Sequence, residues 1–290
     1  MRAELLIIDP QNDFCEKGAG VPNQPGVQLT QIAPENNNLA HMPYTGSLYV
    51  PGADQDMIRV AAMIDRVMWK FKDIHITLDS HHKFSIFHPC FLIDRNGQHP
   101  DPFTPVSHKD IVDGVLRATV PGLQQWLHFY TKTLEENGRY PYVIWPYHCI
   151  IGTPGTAIYP ELLNALLRWE GKPWIVDKVT KGSNFKTEHY SAIKAEVVDP
   201  EDAGTMLNTI LIKTLEKADL LGITGEASNF CVANTITDIA NEFGNDAVKN
   251  IVILTDAMSP VPGFENLHDA FMNDMRGRGV QFSTTTEFLA

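Results

Sequence analysis

The chain has 290 residues, of which 43% are hydrophobic and 20% charged, which is ordinary globular composition and enough for one large α/β domain or two small ones. Its net charge of −12 argues against a nucleic-acid-binding surface. No apolar run approaches membrane-spanning length, and four scattered cysteines without a CxxC pair indicate a reducing compartment, so we expect a cytoplasmic protein without a membrane partner.

Short apolar runs alternate along the chain with amphipathic segments. The first run follows the amino terminus directly, without a signal-like apolar region. The runs predict strands at 3–8, 74–78, 142–145, 174–179, 219–224, 250–254 and 280–282. The segments between them predict helices at 54–71, where Asp54 is the expected cap, and at 123–134, 162–169, 207–215, 228–243 and 267–275. This alternation predicts a doubly wound α/β fold, with a parallel sheet covered by helices on both faces.

Two stretches, at about 16–46 and 83–118, lack hydrophobic periodicity and are rich in turn-forming or irregular sequence. We interpret them as loop insertions in a single domain that spans 1–290, because no internal repeat or linker separates two cores. The insertions are candidates for lids or oligomer contacts, and we expect a homo-oligomer.

Polar side chains follow the predicted strands at the points where these strands end. They are Asp9, Asp79 with His81, His148, Lys181 and the turn before Cys231. In open α/β sheets, sites form at the carboxyl ends of the strands. The apolar strands need none of these side chains for packing, so we expect them to converge on one functional site.

Cys231 is a candidate nucleophile. A glycine ends the strand before it, Ser228 is the expected N-cap of the next helix, and Cys231 falls in the first helical turn. Free backbone N–H groups and the helix dipole favour a thiolate there. The alternative is a small buried core residue, which is the commonest role of a free cysteine.

Asp9 and Lys181 complete a possible nucleophile set. A carboxylate in a partly desolvated site can take the proton of a thiol, and a nearby ammonium lowers the thiol pKa. The alternatives are a loop-capping carboxylate for Asp9 and a solvated lysine for Lys181. Their joint position at strand ends beside Cys231 favours the catalytic interpretation.

Asp79, His81 and His148 form a possible metal-binding set, with His88 as a less certain fourth member. Mixed nitrogen and oxygen ligands suit one divalent ion, Zn, Fe or Mn, in a catalytic site. The alternative for the Asp-x-His pair is two solvated loop residues. The remaining histidines considered rank lower as ligands; they are His75, His82, His99 and His108.

Phe14 and Trp145 each lie beside a predicted strand end. Together they could form an aromatic slot for a flat ring. Ordinary hydrophobic contacts are an equally good interpretation of these two residue types.

The motifs resemble the nicotinamidase branch of the isochorismatase-like cysteine hydrolases. The matching blocks come in the family's order, at 9–14 (DPQNDF), 48–53 (LYVPGA), 79–81 (DSH), 145–149 with 152–155, 181–182 with 190–191, and 225–232 (GEASNFCV). They cover most of the chain apart from the two insertions. The metal-type residues favour the nicotinamidase branch over the isochorismatase branch, which lacks that site.

The resemblance implies a cysteine hydrolase with Asp9 as the general base, Lys181 as the catalytic lysine and Cys231 as the nucleophile. It implies a cis peptide bond before Ala227, and an oxyanion hole made by the backbone N–H groups of Ala227 and Cys231.

The resemblance also implies a six-stranded parallel sheet and a metal ion that holds the pyridine nitrogen of nicotinamide. Its ligands would be Asp79, His81 and His148, and Phe14 and Trp145 would sandwich the ring. The small-molecule partner is therefore an amide, and the hypothesis is hydrolysis of nicotinamide to nicotinate and ammonia. The alternatives are a cysteine hydrolase of another amide or of a ureido or carbamoyl compound, and a non-catalytic ligand-binding member of the fold.

Four positions depart from the family pattern. Ser80 stands where tryptophan is usual, and Glu226 stands where an apolar residue is common. Phe230 precedes Cys231 where histidine or tyrosine is often found, and His88 lies one position from the usual place of the additional metal histidine.

Overall fold

Every side chain of the first strand, β1, is buried in the computed structural model, which describes residues 1–18, 44–171, 173–244 and 247–290. The strands are β1 (Ala3–Ile8), β2 (Phe71–Asp79), β3 (Leu92–Asp94), β4 (Pro105–Val106), β5 (Leu116–Ala118), β6 (Tyr142–Val143), β7 (Asp177–Lys181), β8 (Leu220–Gly225), β9 (Ile251–Leu254) and β10 (Gln281–Ser283). The helices are α1 (Asn12–Cys15), α2 (Ala53–Val67), α3 (His108–Val112), α4 (Gln124–Asn137), α5 (Pro160–Glu170), α6 (Thr209–Leu215), α7 (Cys231–Glu242) and α8 (Glu265–Gly277).

Six of these strands form one parallel sheet in the order β10-β9-β8-β1-β2-β7. Helix α2 packs against α5, and α7 packs against α8. Complete burial of β1 requires cover on both faces of the sheet. The prediction of a doubly wound α/β fold with a six-stranded parallel sheet is therefore confirmed.

The expected strand at 142–145 is not part of this sheet. Only Tyr142–Val143 is extended as β6, and it pairs antiparallel with β4. The segment 83–118, expected to be irregular, supplies that partner and also contains β3, β5 and α3. The prediction of a main-sheet strand at 142–145 was wrong, because an apolar run of four residues does not specify which strand it pairs with. Most of the other predicted insertion, 16–46, lies outside the described residues.

Two predicted helix caps are also wrong. Helix α2 begins at Ala53 after Gly52, whose φ of +105° suits glycine, and the Asp54 carboxylate instead accepts a hydrogen bond from the Tyr49 hydroxyl. Helix α7 begins at Cys231 itself, three residues after Ser228. Cys231 nevertheless lies in the first turn, as expected. Among the described residues, no helix combines the length and apolar character needed to cross a membrane.

Four adjacent strands bring the predicted site residues to one edge of the sheet. Asp9 follows β1, Asp79 ends β2, Lys181 ends β7 and Gly225 ends β8. The register aligns Asp79 with Lys181, and Ile8 with Gly225. Because the strands are parallel and neighbouring, their carboxyl ends form a common edge.

A buried histidine links the three strands β1, β2 and β7 away from that edge. His75 Nε2 lies 3.2 Å from the Glu4 carboxylate, and its Nδ1 lies 2.9 Å from that of Asp177. Burial favours the neutral imidazole, but the contacts with these two carboxylates outweigh it and raise the pKa of His75. Burial opposes ionisation of Glu4, yet its hydrogen bonds to His75 and Arg2 lower its pKa.

We expect His75→Gln to destabilise the protein more at about pH 6 than at about pH 8.5. A histidine pKa that is raised above its unfolded value of about 6.5 contributes stability below that value, and the contribution is lost as pH rises through the folded pKa. Glu4 stays ionised throughout, because its pKa is lowered. Urea unfolding at the two pH values measures the difference, with the exposed His99→Gln as control. An equal loss at both pH values would contradict a charged His75.

Candidate active site

The Lys181 ammonium lies between two carboxylates and the candidate nucleophile. Its Nζ is 2.8 Å from Asp9 Oδ2, 2.5 Å from Asp79 Oδ1 and 3.5 Å from Cys231 Sγ, and it also donates to the His189 carbonyl at 2.9 Å. All of these side chains are buried. The structure thus brings Asp9, Lys181 and Cys231 together, and it adds Asp79 to the set.

Asp9 is held rigidly at the end of β1. Its φ of +46° turns the chain sharply after the strand, a conformation that aspartate tolerates better than most residues. The Thr77 hydroxyl donates to Asp9 Oδ1 at 2.6 Å, which leaves Oδ2 toward Lys181. Burial raises the pKa of Asp9 and Asp79 adds to the effect, while Lys181 opposes it. A buried carboxylate with a raised pKa is suited to accepting a proton.

Cys231 is the first residue of α7, and its sulfur lies within 4.8 Å of carboxylate oxygens of Asp9 and Asp79. Burial raises the pKa of the thiol well above its usual value, although Lys181 opposes the rise. In this site desolvation therefore works against the thiolate that the helix start favours. The thiol would need a base to become a nucleophile, and Asp9 is near enough to be one.

Two backbone N–H groups beside Cys231 are available. The Glu226–Ala227 peptide bond is cis, as the resemblance implied. Within the described residues, neither the Ala227 N–H nor the Cys231 N–H forms a hydrogen bond. Both residues line the same cavity. Free N–H groups next to a nucleophile can stabilise a developing oxyanion.

A second group of ligand-type atoms lies on the other side of Asp79. The ligand atoms of Asp79, His81 and His148 all lie within 4.8 Å of one another. His88 lies beside this set, with its ring centre 5.9 Å from that of His81 and 5.5 Å from that of His148. Asp79 contributes to both halves of the site, since Oδ1 contacts Lys181 and Oδ2 lies 3.3 Å from His81 Nε2.

The three histidines are oriented as metal ligands would be. In each, Nδ1 faces a backbone carbonyl oxygen: His81 with Gly182 at 3.0 Å, His88 with Lys83 at 3.1 Å and His148 with Pro146 at 2.8 Å. A carbonyl only accepts, so Nδ1 carries the proton and Nε2 presents a lone pair. In His88 that Nε2 is buried and has no partner within the described part of the chain, whereas Nε2 of His81 faces Asp79 Oδ2 at 3.3 Å. This second-sphere pattern is typical of metal-binding histidines, and the residues present therefore fit a divalent ion.

The protonation states of His88 and His148 agree with a site for a divalent ion. Burial, reinforced by neighbouring histidines, lowers the pKa of His88 to about 2. Burial and His81 lower the pKa of His148 to about 4. Both imidazoles are consequently neutral near pH 7, which is the form that binds a metal ion.

One cavity joins the two halves of the site. Phe14 and Trp145 both line it, as do Asp79, His148, Ala227 and Cys231. Five further residues line it that the sequence did not mark as site residues: Leu48, Glu188, Tyr190, Phe230 and Val261. Trp145 is fixed in place, because its Nε1 donates to the Tyr190 hydroxyl at 2.9 Å.

Glu188 is the most notable of the missed residues, because it brings a further carboxyl group to the cavity. One of its oxygens accepts a hydrogen bond from the His189 N–H at 2.8 Å. Burial raises the pKa of Glu188 to about 7, with His81 and Lys181 opposing the rise. It lies within a segment without periodicity, so only its position seven residues after Lys181 could have drawn attention to it.

The lower-ranked histidines lie outside the ligand-type set. His75 belongs to the Glu4–Asp177 link in β2, and His82 and His99 are exposed. His108 Nδ1 contacts the Thr131 hydroxyl at 2.9 Å.

The fold resembles solved structures of amidases. The yeast nicotinamidase bound to the inhibitor nicotinaldehyde matches with a TM-score of 0.61 at 17% identity over 97% of this chain and 99% of that chain. The Acinetobacter baumanii nicotinamidase/pyrazinamidase matches with a TM-score of 0.60 at 18% identity over 99% and 98%. The pyrazinamidase of Pyrococcus horikoshii in complex with zinc gives 0.51 at 17% identity over 98% and 99%. At these identities the matches establish a shared fold.

No protein-family model matches the sequence, and neither does any curated protein. The likeness to nicotinamidases is thus carried by the three-dimensional structure and by the short motifs of the sequence.

We expect the purified protein to bind one zinc ion per chain, and His148→Ala to weaken that binding by at least about 100-fold, since removing a ligand should cost no less than removing a second-sphere partner. Cys231→Ala should leave the affinity unchanged, because its sulfur faces Lys181 and Asp9. Isothermal titration calorimetry measures both, with His99→Ala as the matched histidine control. Loss of zinc binding in Cys231→Ala would contradict the division of the site.

Proposed function

We propose that this protein is a metal-containing cysteine amidohydrolase that converts nicotinamide and water to nicotinate and ammonia. The observation that carries the proposal is the buried Lys181 ammonium, which contacts Asp9, Cys231 and Asp79. Of these, Cys231 and Asp79 line the aromatic cavity. A core-packing role does not require a cation, two carboxylates and a thiol at one strand edge.

In the first half of the reaction, Asp9 removes the proton of the Cys231 thiol, and the sulfur attacks the amide carbon. The carbonyl oxygen gains negative charge and lies against the N–H groups of Ala227 and Cys231, which have no other partner in the described structure. Lys181 stabilises the thiolate as it forms, because its Nζ lies 3.5 Å from the sulfur.

In the second half, protonated Asp9 gives its proton to the leaving nitrogen, the C–N bond breaks, and ammonia departs from a thioester. Asp9 then accepts a proton from water, whose oxygen attacks the thioester carbon. The C–S bond breaks, Asp9 returns the proton to the sulfur, and the carboxylic acid product leaves and gives its own proton to solvent. The raised pKa of Asp9 suits both roles, since a group that alternates between base and acid works best near the ambient pH.

A divalent ion, Zn, Fe or Mn, would supply an electrophilic position for a donor atom of the substrate, such as the pyridine nitrogen. Asp79, His81 and His148 would hold it, with His88 as a further candidate. The buried Nε2 of His88, which has no partner among the described residues, and that of His81, which faces Asp79 Oδ2, support this assignment. Phe14 and Trp145 line the adjoining cavity and would contact the faces of the ring.

We expect ammonia release from nicotinamide by the metal-loaded protein, and a loss of at least about tenfold after chelation, because two of the proposed metal ligands, Asp79 and His148, line the substrate cavity. A coupled ammonia assay measures the activity of the chelated protein and of the same protein after zinc is added back. A rate of ammonia release that chelation does not change would favour a ureido or carbamoyl substrate. No release from any amide would leave the non-catalytic alternative.

We expect Asp9→Asn to lower kcat by about 10²–10⁴-fold, because asparagine keeps the shape of aspartate but cannot take the thiol proton. Cys231→Ala should abolish turnover. Asp274→Asn, an exposed substitution on α8, is the matched control and should leave kcat unchanged. Turnover by Cys231→Ala at more than a trace level would rule out the thioester route.

A further inference from the structure

Glu226 lies directly before Ala227, at a position where the related family commonly has an apolar residue. Its side chain is completely buried. Its backbone N–H donates to the Ile8 carbonyl at 2.8 Å, next to Asp9. A buried carboxyl group at this place needs partners, and the proposed mechanism does not use it.

Ser259 connects the Glu226 side chain to the backbone on the far side of Ala227. The Ser259 N–H donates to Glu226 Oε2 at 3.2 Å, and the Ser259 carbonyl accepts from the Ser228 N–H at 2.9 Å. The Ser259 hydroxyl donates to Asp56 Oδ2 at 2.5 Å. The segment that presents the Ala227 N–H is therefore held from both sides by one serine, which is itself anchored to α2.

Two buried carboxyl groups meet at Ser259, since Glu226 Oε2 accepts from its N–H and Asp56 Oδ2 accepts from its hydroxyl. Their proximity favours keeping a proton on one of them. Asp56 already has two donors, Arg59 Nη2 at 2.8 Å and the Ser259 hydroxyl. Glu226 Oε1 is buried and has no donor within the described residues. The geometry therefore assigns the proton to Glu226, with Asp56 as the ionised partner.

The electrostatic surroundings agree with this assignment. Burial and the charge of Asp56 raise the pKa of Glu226 well above its usual value, while Arg59 opposes them only weakly. Asp56 and Arg59 approach from α2. The Cys15 thiol approaches from α1 and stays neutral, because burial raises its own pKa.

We propose that Glu226 is a positioning residue that acts as a neutral acid: through Asp56 and Ser259 it holds the Ala227 N–H where the oxyanion of the proposed reaction develops. This inference rests on the proposed amide hydrolysis. Glu226 itself does not line the substrate cavity, so it acts through the backbone that follows it.

The test compares Glu226→Gln with Glu226→Ala. Glutamine can donate its Nε2–H to Asp56 and accept from the Ser259 N–H, so Glu226→Gln should keep kcat within about threefold of the wild type. Alanine loses both links, and a displaced oxyanion donor should lower kcat by about 10–100-fold with KM nearly unchanged. Glu161→Gln, an exposed substitution on α5, is the control.

A stability measurement tests the proton independently of turnover. Unfolded Glu226 ionises above about pH 4.3, while the folded residue keeps its proton, so the wild type loses stability relative to Glu226→Gln as pH rises. The gap between their urea midpoints should grow in favour of the glutamine variant between about pH 5 and pH 8. This comparison decides the protonation even if Glu226→Ala fails to fold.

The outcomes are distinguishable. Equal kcat values for Glu226→Ala and wild type, or a midpoint gap that does not change with pH, would overturn the inference while leaving the hydrolase proposal intact. Activity lost equally in Glu226→Gln and Glu226→Ala would also overturn it, because the neutral isostere should rescue. A wild-type protein inactive on every amide would instead refute the proposed function.

Discussion

The site depends on one buried ammonium group that neutralises two buried carboxylates. Lys181 contacts Asp9 and Asp79, which end neighbouring strands and would repel each other without it. Breaking a buried ion pair by removing one partner typically costs about 3–5 kcal/mol, because the remaining charge stays desolvated. The alignment of β1, β2 and β7 thus has an electrostatic consequence beyond packing, since it brings the three charges together.

Asp79 makes the two halves of the site a single electrostatic unit. One of its oxygens contacts the lysine beside the thiol, and the other faces His81 in the ligand-type set. Any cation held by these histidines would compete with Lys181 for the charge of Asp79. A change of charge at the ligand-type set should therefore change the electrostatic potential at Cys231, although the sulfur is not part of that set.

The segment around Glu226 illustrates a second way of accommodating carboxyl groups in the interior. Around Lys181, two carboxylates share a cation. At Ser259, by contrast, Glu226, which we infer to be neutral, lies near Asp56, whose cationic partner is Arg59. Both arrangements satisfy buried oxygens, but they respond differently to pH. The first arrangement holds the side chains, and the second the backbone before Ala227, that would carry out amide hydrolysis.

The sequence by itself determined the fold class and most of the polar residues that the structure brings to one edge of the sheet. Alternating apolar runs require a parallel sheet, and parallel strands necessarily bring Asp9, Asp79 and Lys181 to one edge. Tertiary contacts decided what local patterns cannot encode: that β6 pairs outside the main sheet, that α2 begins after Gly52, and that Glu188 reaches the cavity. They also decided protonation, because the desolvation that raises the thiol pKa of Cys231 depends on residues far away in the chain, not on its place in the helix.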